Sequence, residues 1–435
     1  MTGLILEIIV PSILVMIVLI LFKPSILLGK VNISIYWIAP LIGAIILLCA
    51  KVFSLEGIWL ALSNHGAINP IKILILFFSM SMLSIYLDEI GFFKYLASCV
   101  VNKSNSSQLK IFVFLYLAIS LLTIFTSNDI IILTFTPFIC YFCKNAKINP
   151  VPFLITEFIA ANTWSILLII GNPTNIYLST MIGLDFIEYT RIMILPTFFA
   201  GLTSFIVLLL VFKKEFAKPI VAKVDLVFIK NKTLLFIGIV HLFGCLLFLI
   251  ISNYIGLEMW TISLLFSISL VIFVTIYKIF NKGDTNEIIT TIKRVPWELI
   301  PFVISMFIFV LALDKVDITK NIAILLGNTD PILKYGITST FLANIVNNIP
   351  MSVMFGSIIS NLDKSILAQA TYSTIIGSNI GAYLTPIGAL AGIMWMQTLA
   401  KHNIKFNFLD FIKYGIVVSI PTLLMALLGL SLILN

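Results

Sequence analysis

Apolar runs recur from one end of the chain to the other, and short polar interruptions break four of them. Runs at 4–22, 33–52 and 70–90 are each about 20 residues long, enough to cross ~30 Å of hydrocarbon. A shorter amphipathic piece follows at 91–101. The stretch 110–143 is interrupted at Thr126-Ser127-Asn128-Asp129, and spans follow at 152–180 and 191–212. The order then repeats as 232–252, 258–280 and 297–313, a stretch at 332–361 interrupted at Val346-Asn347-Asn348-Ile349-Pro350, then 367–399 and 411–434.

Composition agrees with the pattern. The chain has 435 residues, 60% of them hydrophobic and 11% charged, more apolar surface than a soluble chain of that length can hide. It reads as an all-α polytopic membrane protein, with no segment polar enough to form a separate soluble domain. The net charge of +8 lies in short loops, as the positive-inside rule requires, so no nucleic-acid partner is expected. Leu4 to Phe22 contains Glu7 and has no basic segment before it, so it reads as a retained first helix, not a cleaved signal peptide.

Charge also orients the chain. The segment Lys213 to Lys232 carries Lys213, Lys214, Lys218, Lys223, Lys230 and Lys232 against Glu215 and Asp225, which places it in the cytoplasm. Two spans later, Lys278, Lys282, Lys293 and Arg294 mark the same side, and Ser252 to Glu258 between them has no Lys or Arg. Carried along the chain, this puts Lys23, Lys30, Lys103, Lys110, Lys144, Lys147, Lys401 and Lys405 inside and both termini outside. Both flanks of 110–143 are then cytoplasmic. That stretch is expected to be a re-entrant helical hairpin with its tip at Ser127-Asn128-Asp129, and 332–361 a hairpin entering from outside. The expected plan is a first membrane repeat at 1–212, a cytoplasmic linker at 213–232 and a second repeat at 233–435. Each repeat has about five spans plus one hairpin, with opposite orientation, an inverted-topology plan that recurs in transporters with midplane sites.

The interruptions carry the chemistry. A charged side chain at membrane depth costs at least ~2.5–3.5 kcal/mol and usually marks an ion or substrate pathway. Besides the two hairpin tips, Ile170-Gly171-Asn172-Pro173-Thr174-Asn175 breaks 152–180 and Leu384-Thr385-Pro386-Ile387-Gly388 breaks 367–399. Gly and Pro end helical geometry and free amides and carbonyls. Half-helix N-termini then face an anion or oxygen-rich ligand, and freed carbonyls can hold a cation. Candidate substrate- or ion-binding residues are Ser127, Asn128, Asp129, Asn172, Pro173, Thr174, Asn175, Asn347, Asn348, Thr385, Pro386 and Gly388.

The segment Phe125 through Pro137 resembles the first hairpin of the bacterial arsenical-pump membrane proteins, the arsenite/antimonite permeases. Asn347-Asn348-Ile349-Pro350 is similar to their second-hairpin Asn-Asn-Met-Pro. Leu384-Thr385-Pro386-Ile387-Gly388-Ala389-Leu390-Ala391, followed by Trp395, resembles their Thr-Pro-Ile-Gly-Ser-Leu-Ala motif. Leu87 to Phe93 and Val295-Pro296-Trp297 also resemble segments of that family. The resemblance runs nearly end to end. It implies the inverted-repeat fold of the wider ion-transporter superfamily, which includes divalent anion/sodium symporters, with a mobile transport domain and a homodimer. It also allows a soluble arsenite-stimulated ATPase subunit as a partner. Asn162 and Asn379 join the candidates because they stand where arsenite permeases carry Asp. Gly171-Asn172-Pro173-Thr174-Asn175 is closer to the Gly-x-Pro-x-Asn of carboxylate and other anion permeases. These departures leave Asp129 as the best-placed intramembrane acid.

Several residues have two readings. Asp129 either relays a proton or cation, or caps the helix that starts at the hairpin tip. Glu157 is the other candidate acid; it lies near the cytoplasmic end of its span and is expected to snorkel to the interface. Cys140 and Cys143 form a Cys-x-x-Cys that reads as packed helix surface, because a tight dithiolate would trap a thiophilic cargo. Five scattered cysteines suggest no disulfide framework. His65, His241 and His402 are isolated and no Cys/His set has zinc spacing. No Gly-x-x-x-x-Gly-Lys-[Ser/Thr] loop is present, so energy must come from an ion gradient or a separate ATPase.

The expected function is a multi-pass secondary transporter of the bacterial inner membrane, not an enzyme. It would export arsenite or antimonite in exchange for protons, by elevator-like alternating access and without a cofactor. The alternative is a sodium- or proton-coupled permease for another small anion, such as a carboxylate. An intramembrane enzyme would need a nucleophile with a base, or a metal set, and the motif positions offer Asn, Thr and Pro instead.

Overall fold

A computed structural model describes residues 1–22, 25–28, 31–54, 56–57, 59, 69–103, 107–219, 228–281 and 283–434. Lys23, Lys30, His65, Lys223, Asp225 and Lys282, used in the orientation and metal arguments above, lie outside them. Helix α1 (Thr2–Phe22) leads through a two-stranded antiparallel ribbon, β1 (Ser25–Leu28) and β2 (Val31–Ser34), into α2 (Ile38–Cys49). The ribbon takes up the first residues of the span expected at 33–52. Helix α3 (Pro70–Glu89) starts where sequence favours it, with Pro70 in its first turn and the Asn69 side chain accepting from Ile71 N and Lys72 N. Next come α4 (Phe92–Lys103), α5 (Gln108–Phe125), α6 (Asn128–Ala146), α7 (Val151–Trp164), α8 (Pro173–Met181) and the long α9 (Phe186–Phe216). The second half holds α10 (Lys232–Ile250), α11 (Met259–Phe280), α12 (Asn286–Arg294), α13 (Leu299–Asp314) and α14 (Ile318–Leu326). It ends with α15 (Pro331–Val346), α16 (Asn348–Ser360), α17 (Leu367–Gly381), α18 (Leu390–Lys401) and α19 (Phe408–Leu434).

Among the described residues, nine helices are long and apolar enough to cross a membrane. Leu210, Phe236, Leu247, Phe273 and Leu424 stand exposed on α9, α10, α11 and α19. Such apolar surface on long helices suits lipid and no other solvent. The protein is a multi-pass membrane protein.

The order of elements in α3–α9 recurs in α13–α19. Helix α14 is the counterpart of the amphipathic α4 and was not foreseen as a separate element. Leu87-Asp88 closes α3 and Leu313-Asp314 closes α13. The packing partners exchange in the same way: α6 packs on α18 and α16 on α8, α5 on α7 and α15 on α17, and α9 crosses α19.

The two interrupted stretches are hairpins. Phe216 stacks on Phe112 at the start of α5 (4.4 Å between centroids) and meets Phe153 at the start of α7 (5.7 Å). Further along, Trp164 Nε1 donates to the Tyr116 hydroxyl (3.1 Å), so α5 runs parallel to α7. Helix α6 runs the other way, with Asn128 against Asn162 and Thr136 against Glu157. In the second half, Gly336 and Ser339 face Gly377, while Thr340 and Ala343 face Gly381, so α15 runs parallel to α17. Segments assigned to one face lie together. Lys72 bonds Glu258 across one end (2.6 Å), and Arg294 bonds Asp88 (2.5 Å) and Glu89 (2.9 Å) across the other.

Candidate functional site

Helix α7 stops at Trp164 and the chain passes through a single tight turn, Ile169–Gly171, before α8 begins at Pro173. Gly171 is required there, because a Cβ would sit 2.2 Å from Ser165 O. Asn172 caps α8, its Oδ1 accepting from Thr174 N and Thr174 Oγ1 (both 3.1 Å). Asn175 Nδ2 turns back to Ser165 O (2.8 Å), just past the end of α7, and to Leu168 O (3.2 Å), which also accepts from Gly171 N.

The second half is built alike. Helix α17 ends at Gly381, the turn Pro386–Gly388 follows, and α18 begins at Leu390. A Cβ on Gly388 would lie 2.6 Å from Gly381 O. Asn344, within α15, takes the bridging role: its Nδ2 donates to Gly381 O (2.9 Å) and its Oδ1 accepts from Thr385 N (2.9 Å) and Thr385 Oγ1 (2.7 Å). At the tip of this hairpin Asn347 has φ +78°, a left-handed conformation that Asn tolerates better than most residues. Its Nδ2 donates to Ile387 O (2.9 Å).

A buried amide network joins the two halves. Asn128 Nδ2 donates to Asn162 Oδ1 (2.9 Å), and Asn162 Nδ2 donates to Phe158 O (2.8 Å). The Ser165 hydroxyl is shared between Asn162 O (2.8 Å) and Asn379 Oδ1 (2.9 Å). Asn379 Oδ1 also accepts from Asn172 Nδ2 (3.0 Å), while its Nδ2 donates to Asn175 Oδ1 (2.7 Å) and to Ile375 O (2.9 Å). Asn162 and Asn379 thus each bond the carbonyl four residues back on their own helix, at matching places in α7 and α17.

Beside the first tip lies a cavity of about 310 Å³. Its wall includes Ser127 and Asp129 at the tip and Lys293, Arg294 and Glu298 at the α12–α13 junction, with Met394 on α18. Asp129 is half-buried in the first turn of α6, where the helix dipole favours a carboxylate. Among the described residues it has no ion pair. Ser127 stands at the cap position, and no side chain caps α6, so Asp129 does not serve as a cap. Ser127 Oγ and Asn128 Oδ1 are buried without a hydrogen-bond partner. Orphaned acceptors of that kind in a native site call for a ligand, an ion or water.

The candidates therefore separate. Ser127 and Asp129 reach the cavity, and Asn128 links it to the network. Asn162, Asn172, Thr174, Asn175 and Asn379 are buried and bond one another, with Pro173 opening α8. Asn347, Thr385, Pro386 and Gly388 form the second cluster, and Asn348 begins α16 behind it. Sequence reading missed Asn344 and Ser165, although an Asn one turn before a hairpin tip in an apolar helix was a visible signal. Glu157 does not snorkel: it is fully buried, 2.9 Å from the Thr136 hydroxyl, because α6, α7 and α18 close over it. Cys140 and Cys143 are buried and free, and no group of three or more metal-ligating side chains occurs among the described residues.

The sequence model of the citrate transporter family (CitMHS) matches residues 6–374. An arsenical pump membrane protein of Escherichia coli is 26% identical over 433 residues, covering 96% of each chain. A putative arsenical pump membrane protein of Bacillus subtilis is 24% identical, covering 80% of this chain and 84% of that one. The fold resembles the crystal structure of the YdaH transporter of Alcanivorax borkumensis, with a TM-score of 0.58 at 14% identity, over 100% of this chain and 97% of that one.

Proposed function

We propose, for a chain that belongs to the citrate transporter family of membrane transporters, that it exports arsenite or antimonite in exchange for protons. The observation that carries this reading is the first hairpin tip. There one carboxylate, Asp129, without an ion pair among the described residues, lines a cavity beside Ser127 and Asn128, whose side-chain oxygens lack partners. Trivalent arsenic and antimony hydroxides are uncharged, and each hydroxyl donates and accepts a hydrogen bond. Neutral acceptors and donors at the tip suit such a molecule without needing a cation, and Asp129 suits a proton taken up in exchange. The arsenical pumps similar to this chain favour the same substrate.

Movement would follow the inverted-repeat scheme, in which hairpins and broken helices shift as a body against the remaining spans. The exchange of packing partners between halves supports that scheme, as do the C-terminal ends of α7 and α17, which point at each other through Ser165 and Asn379. The test is growth of a bacterial strain deleted for its own arsenite pump. Expression of this chain should raise arsenite resistance, and Asp129→Asn should remove the gain. No added resistance, or a variant that behaves like the wild type, overturns the reading.

A second reading rests on Lys293, a cation on the cavity wall, and on the family's own description. It is a permease for a carboxylate, coupled to sodium or protons. Citrate uptake into vesicles, driven by a sodium gradient or a proton gradient and absent without both, would favour it over arsenite export.

A further inference from the structure

The transport reading uses Asp129 and leaves a second carboxylate, Glu157, unexplained. Glu157 sits in α7 with no exposed surface, and among the described residues no ion pair reaches it. A buried charge with neither a counter-ion nor a full set of donors is strongly unfavourable. Its surroundings are specific. The Thr136 hydroxyl of α6 lies 2.6 Å from Ile132 O and 2.9 and 3.1 Å from the two Glu157 carboxyl oxygens. The indole Nε1 of Trp395, on α18, faces the same carboxyl without reaching hydrogen-bond geometry and has no other partner. Cys140 on α6 is the titratable group whose charge would feel Glu157; among the described residues, the other elements packed on α7 bring no charged side chain into hydrogen-bond or ion-pair contact with it.

Thr136 has one hydroxyl hydrogen, and it is shared between Ile132 O and the Glu157 carboxyl. Among the described residues that shared hydrogen is the one donor within hydrogen-bond distance of Glu157, far short of what a buried carboxylate needs, whereas the protonated acid carries no charge.

We propose that Glu157 is a proton-binding site, holding its proton in the state seen here and releasing it as the transporter cycles. The inference rests on the proton-coupled reading above. On release the O–H bond of the acid breaks, the electron pair stays on the carboxylate, and the proton passes to water. The Thr136 hydroxyl then turns from Ile132 O to the carboxylate, and the Trp395 indole closes on it as a second donor. The route outward is short in sequence: Leu133, one turn before Thr136, and Met394, next to Trp395, both line the cavity beside Asp129. The ligand is the proton, and the site lies one layer behind the one already described.

Infrared spectroscopy of the purified full-length chain tests protonation without any transport assay. At neutral pH the wild type should show a protonated-carboxyl C=O band that is missing in Glu157→Gln. The band should persist to higher pH in Trp395→Phe, because the carboxylate has lost a donor; a Trp395 that only fills space would leave its pH dependence unmoved. In proteoliposomes, Glu157→Gln should carry substrate with fewer protons per molecule moved. A wild-type spectrum in which no band is lost on substitution, or an unchanged proton ratio in a folded Glu157→Gln protein, overturns the proposal. If the wild type moves no protons with any substrate, the transport reading falls instead, and the infrared band still decides whether Glu157 binds one.

Discussion

Asn379 uses both lone pairs and both amide hydrogens, with four partners between 2.7 and 3.0 Å. A carboxylate at that position would set an oxygen where the amide nitrogen now faces Ile375 O and Asn175 Oδ1, acceptor against acceptor. The protonated acid restores one of the two donors. Asn379→Asp should therefore cost about 1–3 kcal/mol of stability near neutral pH, as for a buried polar group left unsatisfied. The deficit should shrink as pH falls and the acid takes up its proton. Melting curves of detergent-purified protein across pH check both the size and the sign. Asn162→Asp should cost less, since its amide nitrogen faces one carbonyl, Phe158 O, and its oxygen already accepts from Asn128. An asparagine at each position is thus what this packing demands. The same logic leaves Asp129, half-buried on a cavity wall and at a helix N-terminus, as a place where a carboxylate is tolerated.

At the scale of elements, the two broken helices depend on glycines that a methyl group would block. Gly171→Ala and Gly388→Ala would each press a Cβ to within 2.2 and 2.6 Å of a backbone carbonyl. Each should destabilise by about 1–3 kcal/mol, as overpacking does, and reduce transport, whereas Gly3→Ala, with open space around it, should change neither. Thermal shift and vesicle flux on the three variants check this. These breaks were legible in the sequence because Gly, Pro and Asn announce departures from helix geometry wherever they meet an apolar run. The first hairpin was legible because both its flanks are basic, and the second because its flanks carry no basic excess. Other features were not. The ribbon of Ser25–Leu28 and Val31–Ser34 forms where strand and helix patterns are too short to tell apart. The burial of Glu157 depends on Trp395, far along the chain in its second half, and no local pattern near residue 157 contains it. The role of Asn344 likewise needs Gly381 and Thr385, which α17 and its turn bring to it.

For the whole molecule, one arrangement connects these parts. The two halves of the chain meet through the amide network, and the cavity runs from the first hairpin tip to the α12–α13 junction, where Arg294 holds Asp88 and Glu89 at the end of α3. That face is the one the basic loops assign to the cytoplasm. On the export reading proposed above, a cavity at that face would take cargo from the inside. The direct measurement is arsenite flux in proteoliposomes of the purified chain under an imposed pH gradient, with the wild type and Asp129→Asn compared. Arsenite movement that follows the pH gradient, ignores sodium and disappears in Asp129→Asn is the predicted result. Arsenite that stays put while citrate moves, or flux indifferent to both the gradient and Asp129, would contradict it.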